Sequence, residues 1–281
     1  MSTFPERYGY VEARTVVQRE SIDDDTRTLI WNLIYALITE IGNISSRQGT
    51  DGEDDLAMIV YSDFLKYPLD EYNVPRVVWK LIKKVALDEQ WYRLFELVEF
   101  MLKPKLLTSQ MRDRLAIAIN NELEANLVGY RVIDDKVTPI DSQEEADAIT
   151  KALRDATSHP LNGVRHHLST SIKKLADREH PDYANSIKES ISAVEAIAEL
   201  ITGENILSKA IRKLPSSGIA VHPALLEAWV KMYGWTSDEN GVRHSAAAVP
   251  TVDQATAKYM LVTCSAFVSW LIEEGSKAGK F

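Results

Sequence analysis

The spacing of apolar residues is the feature that most limits what this 281-residue chain can fold into. Over most of its length apolar side chains recur at intervals of three and four residues, which is the period of a helix with one buried face. The clearest case is the last segment, whose apolar positions are Ala257, Met260, Leu261, Cys264, Phe267, Val268 and Leu271. Its longest uncharged stretch, Tyr259–Ile272, has 14 residues, whereas crossing a bilayer takes about 20. We therefore predict a mainly helical protein that does not span a membrane.

Prolines, glycines and capping residues divide this pattern into separate helices. The predicted helices are Asp23–Ile41, Asp54–Lys66, Pro75–Ala86, Glu89–Leu102, Ser109–Leu127, Ser142–Thr157, Asn162–Asp177, Asp182–Thr202, Asn205–Leu214, Pro223–Tyr233 and a last one beginning at Thr251 or Asp253. Gly42 is predicted to end the first helix. Ser142 and Glu145 have the spacing of a capping box.

One segment, residues 128–140, alternates instead of repeating with the helical period. Its alternation around Asp134-Asp135 predicts a two-stranded hairpin, which needs helices to pack against because a lone hairpin is marginally stable. We therefore expect three parts: an N-terminal helical domain over residues 1–127, the hairpin and a connecting helix over 128–158, and an up-and-down helical bundle over 159–281.

Composition excludes several classes of protein. The formal net charge of −9 argues against a protein that holds nucleic acid over its whole surface, because such binding needs clustered Lys and Arg. The single cysteine, Cys264, excludes an intramolecular disulfide and a Cys-rich metal site, and its place on an apolar face predicts a small buried hydrophobe.

His166 and His167 are neighbours that point about 100° apart on a helix, so they do not form a metal pair. We expect no cofactor and no metal. The first residues contain no apolar run, which predicts a cytoplasmic protein.

The segment that most suggests chemistry is Tyr233–Ser245, predicted to be a loop before the last helix. It contains Arg243, whose fork of donors suits a phosphate, and His244, which can exchange a proton near neutral pH. These two groups are the minimum for cleaving RNA without a metal, by attack of the ribose 2′-OH on the adjacent phosphate. The alternative is structural: an ion pair for Arg243 and a capping or space-filling role for His244.

Partners for this pair are predicted on the helix Asp182–Thr202. Asn185 and Glu189 are four residues apart and share a face away from the apolar stripe, and Glu195 lies nearer to that face than to the core. An acidic residue there would bind Arg243 or orient His244. Glu189 is the catalytic candidate. The supporting candidates are Asn185 and Glu195 on this helix and Asp238 in the loop. The alternative is a solvated face.

Short blocks in the N-terminal half are Phe4–Gly9, Arg27 with Trp31-Asn32, Val78-Trp79, Trp91-Tyr92 and Glu99-Phe100. They resemble the N-terminal domain of AbiJ-like abortive-infection (phage-defence) proteins. Longer blocks follow at Glu124, Gly129–Arg131, Pro139-Ile140, Asp182–Glu195, Tyr233–Asp238, Gly241–His244 and Met260–Phe267. These resemble the linker and the C-terminal HEPN-type domain of the same proteins.

The resemblance implies a bacterial, toxin-like defence protein whose HEPN-type bundle dimerises. In active members two Arg and His sites face one cleft and cut RNA without a metal. The usual motif has a histidine after a gap of four to six residues from the arginine, but Ala248, Val249 and Pro250 occupy those positions here. From the resemblance and the Arg243-His244 pair we expect an anti-phage endoribonuclease that acts on RNA as a homodimer. Because a cleft focuses the field of the charges that line it, such a site can be locally positive on an acidic protein.

Two alternatives remain open. The first is a catalytically inactive HEPN module that binds RNA, a nucleotide or a phage protein, with an N-terminal domain that senses a phage-derived trigger. The absence of the distal histidine favours it. The second is a structural partner or regulator within a multi-protein defence operon.

Overall fold

Helices make up most of the chain that the computed structural model describes, which is residue 8 and residues 17–158, 160–177, 180–237 and 252–281. Within these residues there are eleven α-helices and one two-stranded sheet, so the predicted mainly-α class is confirmed. The chain divides into two compact units between Val137 and Thr138. We call the part before this division unit 1 and the part after it unit 2.

Unit 1 contains five α-helices and a hairpin whose second strand crosses the division. In chain order its elements are α1 (Asp24–Gln48), α2 (Gly52–Ile59), a π-helical turn (Val60–Phe64), a 3₁₀ turn (Leu69–Glu71), α3 (Pro75–Asp88), α4 (Trp91–Met101), α5 (Ser109–Ala125), β1 (Arg131–Ile133) and β2 (Lys136–Thr138). Their inward side chains form one apolar core whose fully buried members include Ile30, Ile34, Ile82, Leu94, Leu97 and Ile119.

The first helix is longer than predicted. It passes through Gly42 and ends at Gly49, which has the left-handed φ of 64° and donates its N–H to Ser45. Gly42 stays helical, and its missing side chain leaves room for a neighbour: the Glu53 Oε2 atom lies 2.6 Å from where a Cβ would be. Gly42 therefore serves close packing, and the prediction that it ends the helix was wrong.

A buried arginine connects α1 to α3. Arg27 is 7% exposed, and its guanidinium donates to the Ala86 carbonyl oxygen at 2.7 Å and to the Glu89 carbonyl oxygen at 2.6 Å. These carbonyls lie at the end of α3, where helix geometry leaves acceptors without a partner. Arg27 thus has a structural role in the block that carries the family resemblance.

The predicted hairpin is confirmed. Asp134 and Asp135 have φ values of 51° and 62°, the conformation of a type I′ turn, in which Asp is one of the few non-glycine residues tolerated. Asn120 of α5 fixes the hairpin by donating to the Val132 carbonyl oxygen at 2.9 Å and accepting from the Val132 N–H at 2.7 Å.

Unit 2 is a helical bundle. Its elements are α6 (Gln143–Asp155), α7 (Asn162–Ala176), α8 (Tyr183–Thr202), α9 (Leu207–Lys213), a 3₁₀ turn (Pro215–Ser217), α10 (Pro223–Ser237) and α11 (Gln254–Lys277). As predicted, Ser142 caps α6 and accepts from the Glu145 N–H at 3.2 Å. Asp253 caps α11 and accepts from the Thr256 N–H at 2.9 Å; Thr251, the other predicted start, lies outside the described residues.

Helix α11 is long and apolar enough to cross a membrane by length and composition alone. However, 56% of its apolar window is buried inside the protein, and Leu261, Cys264 and Val268 are completely inaccessible. Burial also raises the pKa of the Cys264 thiol, which keeps it protonated and unreactive. The helix thus has the burial of a core helix, as the sequence predicts.

Candidate functional site

The predicted site residues fall into two groups. Asn185, Glu189 and Glu195 lie on α8, whereas Asp238, Arg243 and His244 lie outside the described residues. The predicted loop Tyr233–Ser245 begins later than expected, because α10 continues to Ser237. Its last turn is held by Thr236, which is completely buried and donates its hydroxyl to the Tyr233 carbonyl oxygen at 2.8 Å.

The main polar contact of Glu189 is with a histidine on the neighbouring helix. The His167 Nδ1 atom lies 2.7 Å from Glu189 Oε2, and the two side chains are 33% and 20% exposed. Since a carboxylate only accepts, Nδ1 carries the proton, and in the neutral ring Nε2 is left with a lone pair. This is the arrangement in which a carboxylate orients a histidine for proton transfer.

Buried serines give this pair a rigid support. Ser171, Ser186 and Ser190 have no exposed surface and meet between α7 and α8, with Ser171 Oγ 2.7 Å from Ser190 Oγ and 3.0 Å from Ser186 Oγ. The Ser186 hydroxyl donates to the Ser171 carbonyl oxygen, and the Ser190 hydroxyl donates to the Ser186 carbonyl oxygen, both at 3.0 Å. Small side chains let the two helices approach closely, and a fully bonded polar network fixes their register.

Asn185 belongs to the cap of α8. Its N–H and its side-chain amide both donate to the Asp182 carboxylate, at 3.2 and 2.9 Å, and Lys174 Nζ donates to the same carboxylate at 2.8 Å. Burial acts to raise the pKa of Asp182, but these hydrogen bonds lower it by more, so the pKa lies below its ordinary value. Glu195 is half-buried, and on a regular helix it lies about 9 Å along the axis from Glu189 and roughly 120° around it. Glu195 therefore lies on a different face of α8 from Glu189.

The packing of α8 on α11 gives the position of the His167–Glu189 pair along α11. Helices α8 and α11 pack along their lengths, and the Cβ position of Gly275 lies 3.3 Å from Ile201 Cδ1, so their C-terminal ends coincide and the two helices run in parallel. Glu189 is in the N-terminal third of α8. Counting twelve residues back from Ile201 and from Gly275 places Glu189 level with Thr263, about 14 Å along the axis from Gln254, the first residue of α11.

An apolar groove lies between α10 and α11. The Trp229 and Phe267 rings stack at 3.8 Å with a 15° tilt, and Phe267 and Trp270 stack at 5.5 Å with a 12° tilt. With Leu225 and Ala266 these rings line a groove of about 450 Å³. The Trp229 and Phe267 rings are buried and form its floor, whereas Leu225 and Ala266 are exposed at its rim, and an exposed apolar patch is typical of protein interfaces.

Sequence reasoning missed His167 as the partner of Glu189, since it treated this histidine only as a metal ligand beside His166. A signal existed in the antiparallel pairing of the two helices. The contact between Lys174 and Asp182 sets the register, and counting seven residues from each along the two helices leads to His167 and Glu189.

Comparison with known proteins identifies the N-terminal part of the chain. The family described as AbiJ N-terminal domain 4 matches residues 2–155, more than half of the sequence, and the match extends to the last residue of α6. Comparisons with curated proteins and with solved structures gave no match. The predicted AbiJ-like N-terminal domain is therefore confirmed: the chain belongs to the AbiJ N-terminal domain 4 family, which links it to abortive infection and phage defence.

Proposed function

We propose that this protein is a cytoplasmic abortive-infection effector whose C-terminal bundle is a HEPN-type, metal-independent endoribonuclease. Its AbiJ N-terminal domain supports the defence role. The observation that carries the catalytic proposal is the His167–Glu189 pair, at 2.7 Å, on two helices locked by buried serines. The pair supplies a second histidine to a site from which the usual distal histidine is missing.

The reaction needs one group to take a proton and another to give one. The 2′ oxygen forms a bond to phosphorus as its proton passes to a base, and the bond from phosphorus to the 5′ oxygen breaks as an acid protonates that oxygen. The products are a 2′,3′-cyclic phosphate and a 5′-hydroxyl. We assign the two proton transfers to His167 and His244, the orientation of His167 to Glu189, and the binding of the phosphate to Arg243.

A homodimer is part of the proposal. The groove on α10 and α11 supports it, with Leu225 and Ala266 exposed, Trp270 half-buried, and the buried Trp229 and Phe267 rings as its floor. In the sequence these two helices flank the segment bearing Arg243 and His244. A second copy on this surface would place two such segments near one cleft. With a net charge of −9, binding of RNA would be limited to the cleft where the arginines concentrate positive potential.

The test is cleavage of total RNA by the purified full chain in EDTA, with detection of 2′,3′-cyclic phosphate ends. We expect His167→Gln and Glu189→Gln to lower the rate by about a hundredfold or more, and Arg243→Ala to abolish cleavage while the helical circular dichroism signal stays unchanged. His166→Gln is the matched control: this exposed histidine packs edge-on against the His167 ring, with 5.7 Å between centroids, whereas the hydrogen bond to Glu189 comes from His167. It should keep nearly the wild-type rate.

Two results count against the proposal in different ways. A folded, dimeric wild-type protein that leaves total RNA intact would refute the nuclease. Cleavage that survives His167→Gln at the rate of His166→Gln would refute the role of the pair while leaving the nuclease in place.

A second candidate function is a non-catalytic HEPN module that binds RNA, a nucleotide or a phage protein, while the N-terminal domain senses a phage-derived trigger. The observation that favours it is the replacement of the distal histidine by Ala248, Val249 or Pro250. Growth arrest on expression that His244→Ala abolishes supports the nuclease, since a binder would tolerate this change better than loss of Arg243.

A further inference from the structure

Unit 1 contains a pocket that the proposed nuclease does not use. It lies between the π-helical turn, α4 and the hairpin turn, and has a volume of about 650 Å³, within the range of small-molecule sites. Its apolar lining consists of Phe64, Leu65, Phe100 and Pro104. Eight charged side chains complete the lining: Asp63, Lys66, Arg93, Glu96, Glu99, Lys103, Asp135 and Lys136.

The lining has four cations and four carboxylates, but they are not all paired with one another. Each of its four carboxylates already has a cationic partner; the pairs are Asp63 with Lys105, Glu96 with Arg93, Glu99 with Lys136 and Asp135 with Arg112. Two of the partners, Lys105 and Arg112, come from outside the lining. Lys66 and Lys103 are left without a carboxylate within ion-pair distance among the described residues, so their ammonium groups are available to an anionic ligand.

The backbone keeps an unfavourable conformation at this pocket. Lys66 has a φ of 61°, the left-handed region in which glycine is the usual residue at the end of a helix. It follows a π-helical turn closed by the Leu65 N–H to the Val60 carbonyl oxygen at 3.0 Å. Both features are found preferentially at functional sites. Here they place a lysine, rather than a glycine, at the rim.

Two flat groups lie beside the unpaired lysines. The Phe64 ring is half-buried and packs on Phe100 at 5.1 Å between centroids. The Arg93 guanidinium carbon lies 5.3 Å from the centre of the Phe64 ring, and Lys103 Nζ lies 4.2 Å from that of Phe100. Aromatic rings and arginine planes are the groups on which nucleic-acid bases stack.

We propose that this pocket binds a nucleoside phosphate, with the base against Phe64 and Arg93 and the phosphates at Lys66 and Lys103. The ligand is a free nucleotide or the phosphorylated end of an RNA, since both present a flat base joined to at least one phosphate. This site is in unit 1 and is independent of the His167–Glu189 pair in unit 2, so it stands whether or not the chain cuts RNA.

Isothermal titration of the full chain with AMP, ADP, adenosine and pyrophosphate tests the proposal. We expect saturable binding of AMP and ADP, with adenosine and pyrophosphate each weaker by about tenfold or more because each lacks one half of the recognised group. A 5′-phosphorylated hexanucleotide and its unphosphorylated form distinguish an RNA end from a free nucleotide. If the phosphorylated oligomer binds more tightly than AMP, the RNA end is the ligand.

The variants separate charge from folding. Lys66→Gly removes the ammonium group while supplying the residue that the left-handed backbone prefers, so the fold is kept, and we expect binding to weaken about tenfold. Lys103→Met should do the same, and Lys84→Met, an exposed lysine of α3 away from the pocket, should bind as the wild type does. The proposal fails if no nucleotide binds saturably, or if binding is unchanged in both Lys66→Gly and Lys103→Met.

Discussion

The connection between α1 and α3 yields a prediction about stability. In Arg27→Met the apolar stem of the side chain is kept, so the packing around it changes little, but both guanidinium hydrogen bonds are lost. The carbonyl oxygens of Ala86 and Glu89 then lose their donors at the end of a helix. We expect unit 1 to be destabilised while unit 2 is unaffected.

The magnitude follows from the number and kind of bonds. A hydrogen bond with one charged partner contributes about 1.5–3 kcal/mol, and removing the guanidinium also removes the cost of burying its charge, so two such bonds give a net loss of about 3 kcal/mol. Arg27→Lys keeps the charge but presents a single point donor in place of a fork, and we expect about half that loss. Against a total stability of roughly 5–15 kcal/mol for a unit of this size, either change is readily measured.

Urea denaturation followed by circular dichroism measures the loss, and hydrogen exchange of peptides from α1 and α3 assigns it to unit 1. A loss of 3 kcal/mol moves the urea midpoint down by about 1.5 M. The matched control is Arg114→Met, in the same unit, whose side chain is 54% exposed and pairs with Glu40; it should change stability by less than about 1 kcal/mol. Equal shifts for Arg27→Met and Arg114→Met would refute the structural role of Arg27.

Three further predictions concern unit 1 and the α7–α8 contact. Lys66→Gly should leave the unfolding free energy unchanged or raise it by up to about 1 kcal/mol, since relief of left-handed strain outweighs the entropy of glycine; a clear loss in urea denaturation would contradict this. Ser190→Val should destabilise unit 2 by about 1–3 kcal/mol through overpacking, and Ser190→Ala by about 1 kcal/mol, both by urea denaturation. The folded pKa of Asp182 lies below its ordinary value of 3.8. The stability that its ionised carboxylate contributes is therefore complete above pH 3.8 and is lost as the pH falls through the lowered pKa. The difference in unfolding free energy between wild type and Asp182→Asn should be smaller at about pH 3 than at about pH 7.

Features set by local chemistry were the ones that sequence could predict. The Asp134-Asp135 turn needs residues that tolerate positive φ, and the caps at Ser142 and Asp253 need a side-chain acceptor before a helix. These requirements act over a few residues and leave a visible pattern. Gly42 misled the prediction because a glycine that ends a helix and one that makes room for Glu53 look alike in sequence, and the difference depends on a residue of the next helix.

The site was harder to predict because its contacts cross between helices. Glu189 was singled out from its face on α8, but its partner His167 is 22 residues earlier and was recognisable only from the register of two antiparallel helices. The unit 1 pocket had no sequence signal at all. It is built from three separate stretches of chain, and two of its carboxylates are paired by Lys105 and Arg112 from outside the lining.

Two neighbouring residues of one block that carries the family resemblance have structural roles at the pocket. Glu99 holds the hairpin by accepting from Lys136 Nζ at 2.7 Å and from the Val137 N–H at 2.9 Å, and Phe100, the next residue of the block, is almost fully buried in the pocket floor. These are structural roles, like that of Arg27. Lys66 and Lys103 lie outside every block. The blocks therefore account for the floor and the hairpin side of the pocket, and the titration with Lys66→Gly tests whether the lysines at its rim bind the ligand.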